Sequence, residues 1–374
     1  MKKILVASYL PYSQSNRGID IITEALLDMD MNVTHLTFPS KEAFLKDNKN
    51  FTQLGIKGRK IAYYERIMKN FPKNITQYFI NQTIKPLKNF NFSDYDYIIL
   101  ESGKPIFLID LIPDKVPIIY RQSDSVKYIL SRNKLFQSYE DRIINKSQFI
   151  ITVNSFFYEQ LKMEFPTKIE LIRNGINIPK NSVLSNPYKY EGKVKALYFG
   201  LFPLDYKDVL YSVTKFQNTD FHFIGPKIFS KFELNTLKKY PNFFYYGHQD
   251  NETINSFLKY SDFVFIPYKN SYKLRYFGLT SKYLISMYYN KPIISKKIGL
   301  INEFKDLNVL FYENKDELDK CFKKLNKDYQ VFYNLDFNKF SKEAKIKEYK
   351  DFFERILLIS SLHPSANRSS SSNN

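Results

Sequence analysis

Six residues, Tyr120-Arg121-Gln122-Ser123-Asp124-Ser125, place a carboxylate just beyond an apolar run at 117–120. If that run is a strand, Asp124 lies in a strand-to-helix loop at the carboxyl end of a sheet. A carboxylate there can act as a general base, taking the proton of a hydroxyl as it attacks. The same residues suit a plainer task, in which Ser123 or Asp124 caps the helix that follows. Glu101, after the run at 97–100, is a second carboxylate open to both readings. Lys282 makes a different case. Thr280 or Ser281 can cap a helix that starts beside it, so free amides and the positive helix end face an anion, and Lys282 adds a full charge. Its plainer reading is a solvated lysine in a lysine-rich chain. Tyr268, after Phe263-Val264-Phe265-Ile266-Pro267, can stack on a base or touch a phosphate, or merely line a rim. Arg173, in Arg173-Asn174-Gly175, can meet a phosphate, while the Asn-Gly pair by itself makes a turn.

The elements that must position these residues are legible from apolar runs. Residues 3–8, 32–38, 97–100, 117–120, 149–153 and 169–172 read as strands, with helical spacing at 17–29. Continuous apolar runs of four to six residues indicate a parallel sheet covered on both faces. Residues 176–193 hold Pro179, Pro187 and several Asn and Ser, and read as a linker. A second series follows, with strands at 194–199, 221–224, 243–246, 263–266, 292–295 and 309–312. Helices fit at 205–216, 230–239, 251–260 and 281–289. Three of those strands run into glycine, at Gly200, Gly225 and Gly247, which lets backbone approach a ligand. The expected organisation is an α/β domain over 1–175, the linker, a second over 194–337, a helix at 338–360 returning to the first domain, and a Ser- and Asn-rich disordered tail at 361–374. Two doubly wound units then face one another across a cleft, with ligands at the carboxyl ends of the strands.

The chain of 374 residues carries 56 Lys+Arg against 38 Asp+Glu, a net charge of +18 that predicts an anionic partner. Its single cysteine, Cys321, excludes an internal disulfide and a cysteine-based zinc cluster, and four histidines leave little for a metal site. Phosphate-loop, Gly-x-Gly-x-x-Gly, His-Glu-x-x-His and Gly-x-Ser-x-Gly patterns are missing. Asp94-Tyr95-Asp96 and Asp28-Met29-Asp30 have metal-diphosphate spacing, but the first pair precedes its strand, the wrong end for a ligand, so both pairs read as turn residues. No uncharged apolar stretch reaches 18 residues, and the start of the chain lacks the pattern of a signal peptide, so the expected location is cytoplasmic.

In their order and spacing, the motifs of residues 194–296 resemble the GT-B glycosyltransferases, whose carboxyl-terminal domain binds a nucleotide sugar. The interval from Lys282 to Pro292 matches the family's Lys-x-x-Glu-x-x-x-x-Gly-x-Pro segment. Ile285 stands where an acid often contacts the ribose, and Asn290 stands at the Gly position. Those departures point away from the common retaining, Glu-containing branch. Residues 120–125 resemble the corresponding stretch of the GumK-type glucuronosyltransferases, inverting enzymes that act on lipid-linked acceptors. The resemblance implies Asp124 as catalytic base and Lys282, Tyr268, Gly200, Ser281 and Arg173 around the donor. It further implies a UDP-sugar as substrate, glucuronate as its sugar, a lipid-linked saccharide as acceptor, and no metal or other cofactor.

Residues 57–90 carry eight basic residues against one acid, Glu65, interleaved with aromatics. Lys57, Arg59, Lys60, Tyr63, Tyr64, Arg66 and Lys69 are candidates for an anionic membrane surface and the acceptor, peripheral on the inner face. The plainer reading is a helix with aromatics in the core and lysines in water. Rival functions are a retaining GT-B hexosyltransferase, in which Asp124 is structural, an inactive relative that recruits partners, and a basic nucleic-acid-binding protein. The last lacks any recognisable reading motif, so nucleic acid is not the expected partner.

Overall fold

The computed structural model describes residues 1–14, 17–58, 71–130, 133–178, 184–189, 192–305, 307–325 and 331–362. Two compact units divide the chain: Met1–Gly175 with Lys339–Asn374, and Ile176–Asn338.

The first unit is built on strands β1 (Lys3–Ser8), β2 (Asn32–Ser40), β3 (Phe44–Asn48), β4 (Phe51–Lys57), β5 (Tyr97–Glu101), β6 (Ile118–Gln122), β7 (Phe149–Thr152) and β8 (Ile169–Leu171). They form one sheet in the order β3-β4-β2-β1-β5-β6-β7-β8. Every pairing is parallel except β3 with β4. Its helices are α1 (Gly18–Asp28), α2 (Lys73–Ile84), α3 (Lys134–Lys146) and α4 (Ser155–Glu164). Alternate residues of each inner strand feed two separate cores. Leu5, Ala7, Ile98, Leu100, Ile118 and Ile150 face one way; Ile4, Val6, Ile99, Ile119 and Ile151 face the other. Burial on both faces explains the unbroken apolar runs. The β3–β4 hairpin was not legible. β3 is almost wholly exposed, so its sequence carries no hydrophobic alternation.

The second unit holds β9 (Val194–Phe199), β10 (Thr219–Ile224), β11 (Phe243–Gly247), β12 (Phe263–Ile266), β13 (Ile293–Lys296) and β14 (Val309–Tyr312), all parallel, in the order β11-β10-β9-β12-β13-β14. Its helices are α5 (Tyr206–Lys215), α6 (Lys231–Leu237), α7 (Asn251–Tyr260), α8 (Ser281–Tyr288) and α9 (Lys315–Lys324). Most begin at side-chain caps: Asp205, Ser230 in a capping box with Glu233, Asp250 and Asn314. The Phe and Tyr excess supplies much of this core. Phe216 stacks on Phe322 at 4.0 Å, and Phe322 meets the edges of Phe263 and Phe265. Part of the expected linker packs here too: Tyr188 is buried and its hydroxyl donates to the Phe257 carbonyl at 2.9 Å.

The last helix, α10 (Lys342–Leu362), lies on α1 of the first unit. Tyr349, Phe352, Phe353 and Ile356 join Ile19, Ile22 and Leu26 in one cluster, flanked by the Lys342–Glu24 and Lys350–Asp28 ion pairs. The helix takes in the first two residues of the expected tail; 363–374 lie outside the described residues. Asp94 and Asp96 brace local structure, accepting from the Asn91 amide group and the Lys3 backbone N–H.

Candidate functional site

In each sheet the strand order reverses once, and open α/β sheets bind ligands at the carboxyl ends flanking such a reversal. In the second unit the reversal lies between β9 and β12. Gly200 follows β9 with φ +139°, and Gly225 follows β10 with φ +150°. Both positions require glycine: a Cβ on Gly225 would lie 1.9 Å from the Gly200 carbonyl oxygen, and one on Gly200 would lie 2.8 Å from Lys282 Nζ.

Lys282, in the first turn of α8, reaches back to that opening. Its Nζ sits 4.0 Å from the Tyr198 ring centroid and 4.7 Å from that of Tyr268. The residue is partly exposed overall, but its amine is enclosed by these rings, and burial pushes its pKa well below the ordinary lysine value. No carboxylate among the described residues pairs with it. Two ring faces supply attraction, but no compensating charge.

The start of α8 adds donors. Thr280 occupies the N-cap position and makes no side-chain capping bond, so the expectation that Thr280 or Ser281 caps this helix is corrected. The first-turn amides of Ser281, Lys282 and Tyr283 donate to no acceptor among the described residues. Gly200, Tyr268, Ser281 and Lys282 therefore come together. Tyr268 is only 3% exposed, its ring held edge-on by Phe202 and Phe277. A ring enclosed in this way has no free face for a base, and it acts as a wall for Lys282. Sequence reading missed Tyr198, which forms the nearer wall. Asn290, at the Gly position of the family segment, has φ +51° just past the end of α8. Asn tolerates this left-handed conformation, so the departure keeps the turn. Ile285 is buried and cannot contact a ribose.

In the first unit the reversal lies between β1 and β5. Glu101, at the end of β5, pairs with Arg121 of β6 at 2.8 Å and accepts from the Ser8 hydroxyl at 2.6 Å. Arg121 also donates to Asn174 at 3.0 Å, and Gly18 leaves it room: a Cβ there would lie 1.9 Å from Arg121 Nη2. Burial opposes the guanidinium's charge, but Tyr349 and Glu101 together hold its pKa above the ordinary value. Glu101 is thus committed to a buried pair, which leaves Asp124 as the exposed carboxylate of this loop set. The Asp124 N–H donates to Ser102 Oγ at 3.1 Å, and Ser102 Oγ lies 2.8 Å from Ser123 Oγ. The amides that open the next turn go elsewhere than the expected caps: Glu140 of α3 accepts from Val126 and Lys127, and Ser125 Oγ from Tyr128. Arg173 is half-buried just beyond β8. Neither Arg121 nor Glu140 was singled out in the sequence. A charged residue inside an apolar run, as at Arg121, was the available signal.

Of the basic segment, Lys57 is exposed at the end of β4. Arg59, Lys60, Tyr63, Tyr64, Arg66 and Lys69 lie outside the described residues. Downstream, Phe71 and Phe79 pack against the core and Ile80 is buried in it, whereas Lys73, Ile75, Tyr78, Lys85 and Lys88 are exposed. No helix of the described residues is long and apolar enough to cross a membrane, and none of their His, Cys, Asp and Glu residues cluster in threes that could hold a metal.

No family model and no curated protein matches the sequence. Solved structures do match over nearly the whole chain. One, described as trehalose-6-phosphate from E. coli bound with UDP-2-fluoro glucose, has a TM-score of 0.60 at 11% identity, covering 95% of this chain and 98% of that one. An α,α-trehalose-phosphate synthase (UDP-forming) from Burkholderia vietnamiensis has a TM-score of 0.60 at 10% identity, covering 98% and 99%. The S. aureus MnaA–UDP structure has a TM-score of 0.56 at 11% identity, covering 96% and 98%. Likeness at such identity is likeness of fold, and with two parallel sheets of Rossmann type it gives the chain the GT-B fold.

Proposed function

We propose that this protein is a glycosyltransferase that takes a sugar from a UDP-sugar. The observation that carries the reading is the site at the β9–β12 reversal. There the buried Lys282 amine, without an ion-pair partner among the described residues, sits beside Gly200 and three unengaged helix amides. A diphosphate supplies the missing negative charge and the missing acceptors together. Two structural neighbours with this fold carry UDP or a UDP-sugar, which supports the reading.

Asp124 takes the acceptor's proton. The acceptor oxygen bonds to the anomeric carbon as the bond to the β-phosphate oxygen breaks, UDP leaves with that electron pair, and the anomeric configuration inverts. The exposure of Asp124 and the engagement of Glu101 by Arg121 favour Asp124 for this role. Glucuronate as the sugar, and a lipid-linked saccharide as acceptor in surface polysaccharide synthesis, rest on the resemblance of residues 120–125.

Asp124→Asn tests the assignment. Loss of a general base costs about 100- to 10,000-fold in rate, so turnover falls by that factor while UDP still raises the melting temperature as in the native protein. Unchanged turnover removes Asp124 from the mechanism. NMR of the product's anomeric centre then separates inversion from retention.

The acceptor reading calls for a membrane surface. Lys73, Ile75, Tyr78, Lys85 and Lys88 give the first unit an exposed face that is basic and partly apolar. Each basic residue near an anionic bilayer adds about 1 kcal/mol. The protein therefore floats with anionic vesicles at low salt and not with neutral ones; equal recovery on both defeats this part of the reading.

A further inference from the structure

We propose that Glu140 is the positioning residue for Asp124, a buried carboxylate that ties down the chain on both sides of the base. The proposal rests on the reading of Asp124 as base. Glu140 is 1% exposed on the inner face of α3, beside Phe136, Tyr139 and Ile143. Its Oε1 accepts from the Tyr120 hydroxyl at 2.8 Å, Gln122 Nε2 at 3.2 Å and the Val126 N–H at 2.8 Å. Its Oε2 accepts from the Ser125 hydroxyl at 2.8 Å and the Lys127 N–H at 2.7 Å. Two of these donors precede Asp124 and three follow it. No basic side chain among the described residues pairs with Glu140, so its whole capacity goes to this segment.

The segment needs such an anchor. Residues Val126–Leu130 form a π-type turn in which Leu130 N–H reaches back to the Ser125 carbonyl at 3.0 Å. Single π turns are uncommon and recur at functional sites. Locally, Ser125 Oγ accepts only the Tyr128 N–H, at 3.4 Å; for the two amides before it, Val126 and Lys127, α3 supplies the acceptor from a distant stretch of chain. Ser102 fixes the remaining point, the Asp124 N–H itself. The backbone at 124 is thereby held while the residue itself stays exposed.

Glu140→Gln exchanges one acceptor oxygen for an amide that only donates, so at least two of the five donors lose their partner. Turnover should fall about 10- to 100-fold, with UDP affinity, read by thermal shift, unchanged. A merely structural role would also lower turnover, so the deciding readout is a double-mutant cycle with Asp124→Asn, followed in single turnovers with labelled donor. If Glu140 acts through Asp124, Glu140→Gln changes the rate of the Asp124→Asn enzyme less than twofold. An equal fold-loss in both backgrounds overturns the proposal, as does a Glu140→Gln enzyme with full turnover. If Asp124→Asn alone leaves turnover intact, the base reading itself has failed, and that variant reports it separately. Should Glu140→Gln not fold, Ser125→Ala removes a single donor and enters the same cycle: additive loss, or none, overturns the proposal.

Discussion

At the β1–β5 reversal of the first unit, Glu101, Arg121, Ser8 and Asn174 form a chain of contacts with the two charges 2.8 Å apart. At the β9–β12 reversal of the second unit, Lys282 meets the faces of Tyr198 and Tyr268, with Phe199 farther off at 6.0 Å, and no carboxylate among the described residues. Both amino acids at issue are cations at the carboxyl edge of a parallel sheet. The difference lies in where the compensating charge comes from. In the first unit a neighbouring strand supplies it, and the result is a rigid floor under the loop that carries Asp124. In the second unit the described residues supply none, and on the proposed reading the diphosphate of the donor does. A buried charge with its partner is architecture; one without is costly and shifts toward its neutral form unless an opposite charge arrives.

Removing one member of the compensated pair gives the largest effect. Arg121→Met leaves Glu101 buried and unpaired, which costs about 3–5 kcal/mol. Urea denaturation should show that loss, and a midpoint within error of the native one would mean that water already compensates Glu101.

Acid sharpens the same contrast between the units, because each buries one neutral histidine. Burial pushes His35 down to about 4 and His222 down to about 3. Both native values lie below the unfolded pKa of about 6.5, so the unfolded state binds the extra protons. Stability is therefore full above about pH 6.5 and falls by about 1.4 kcal/mol per histidine per pH unit toward the native values. His35 has partners on both ring nitrogens, Thr23 and the Leu10 carbonyl, whereas His222 Nε2 has none among the described residues and its ring stacks on Phe244. His222→Phe should keep the stack and remove its share of the acid sensitivity, about 3 kcal/mol between pH 6.5 and 4. Parallel pH–stability curves for variant and native protein would sink this account.

The uncompensated lysine gives the smallest change, and one of opposite character. Lys282→Met removes a buried amine without orphaning a partner, so thermal stability should hold or rise. UDP affinity should fall at least about tenfold, or about 1.4 kcal/mol. A large loss of stability with affinity intact would reassign Lys282 to the core.

Much of the fold was legible because apolar runs report burial on both faces; Gly200 and Asp124 could be proposed because they follow such runs, and Lys282 because it stands where a helix begins. The β3–β4 hairpin was hidden by an exposed, polar edge strand. Glu140 was hidden because its five donors come from residues 120–127, a separate stretch of chain. Of the tasks open to Tyr268 in the sequence, the enclosure of its ring by Phe202 and Phe277 disfavours stacking on a base, and that enclosure is a matter of packing.

By itself, the sequence determined two parallel sheets, the glycines where strands end, and a net charge of +18 that asks for an anionic partner. Those follow from local patterns: periodicity, backbone freedom and composition. Which charges are answered by a partner, and which are not, was decided by the tertiary structure alone. Arg121 and Lys282 are equally basic in sequence, and only the arrival of Glu101 beside one, and of two aromatic rings beside the other, sets their roles apart. The energy of a buried charge depends on what surrounds it in space, and that neighbourhood is assembled from residues far apart in the chain.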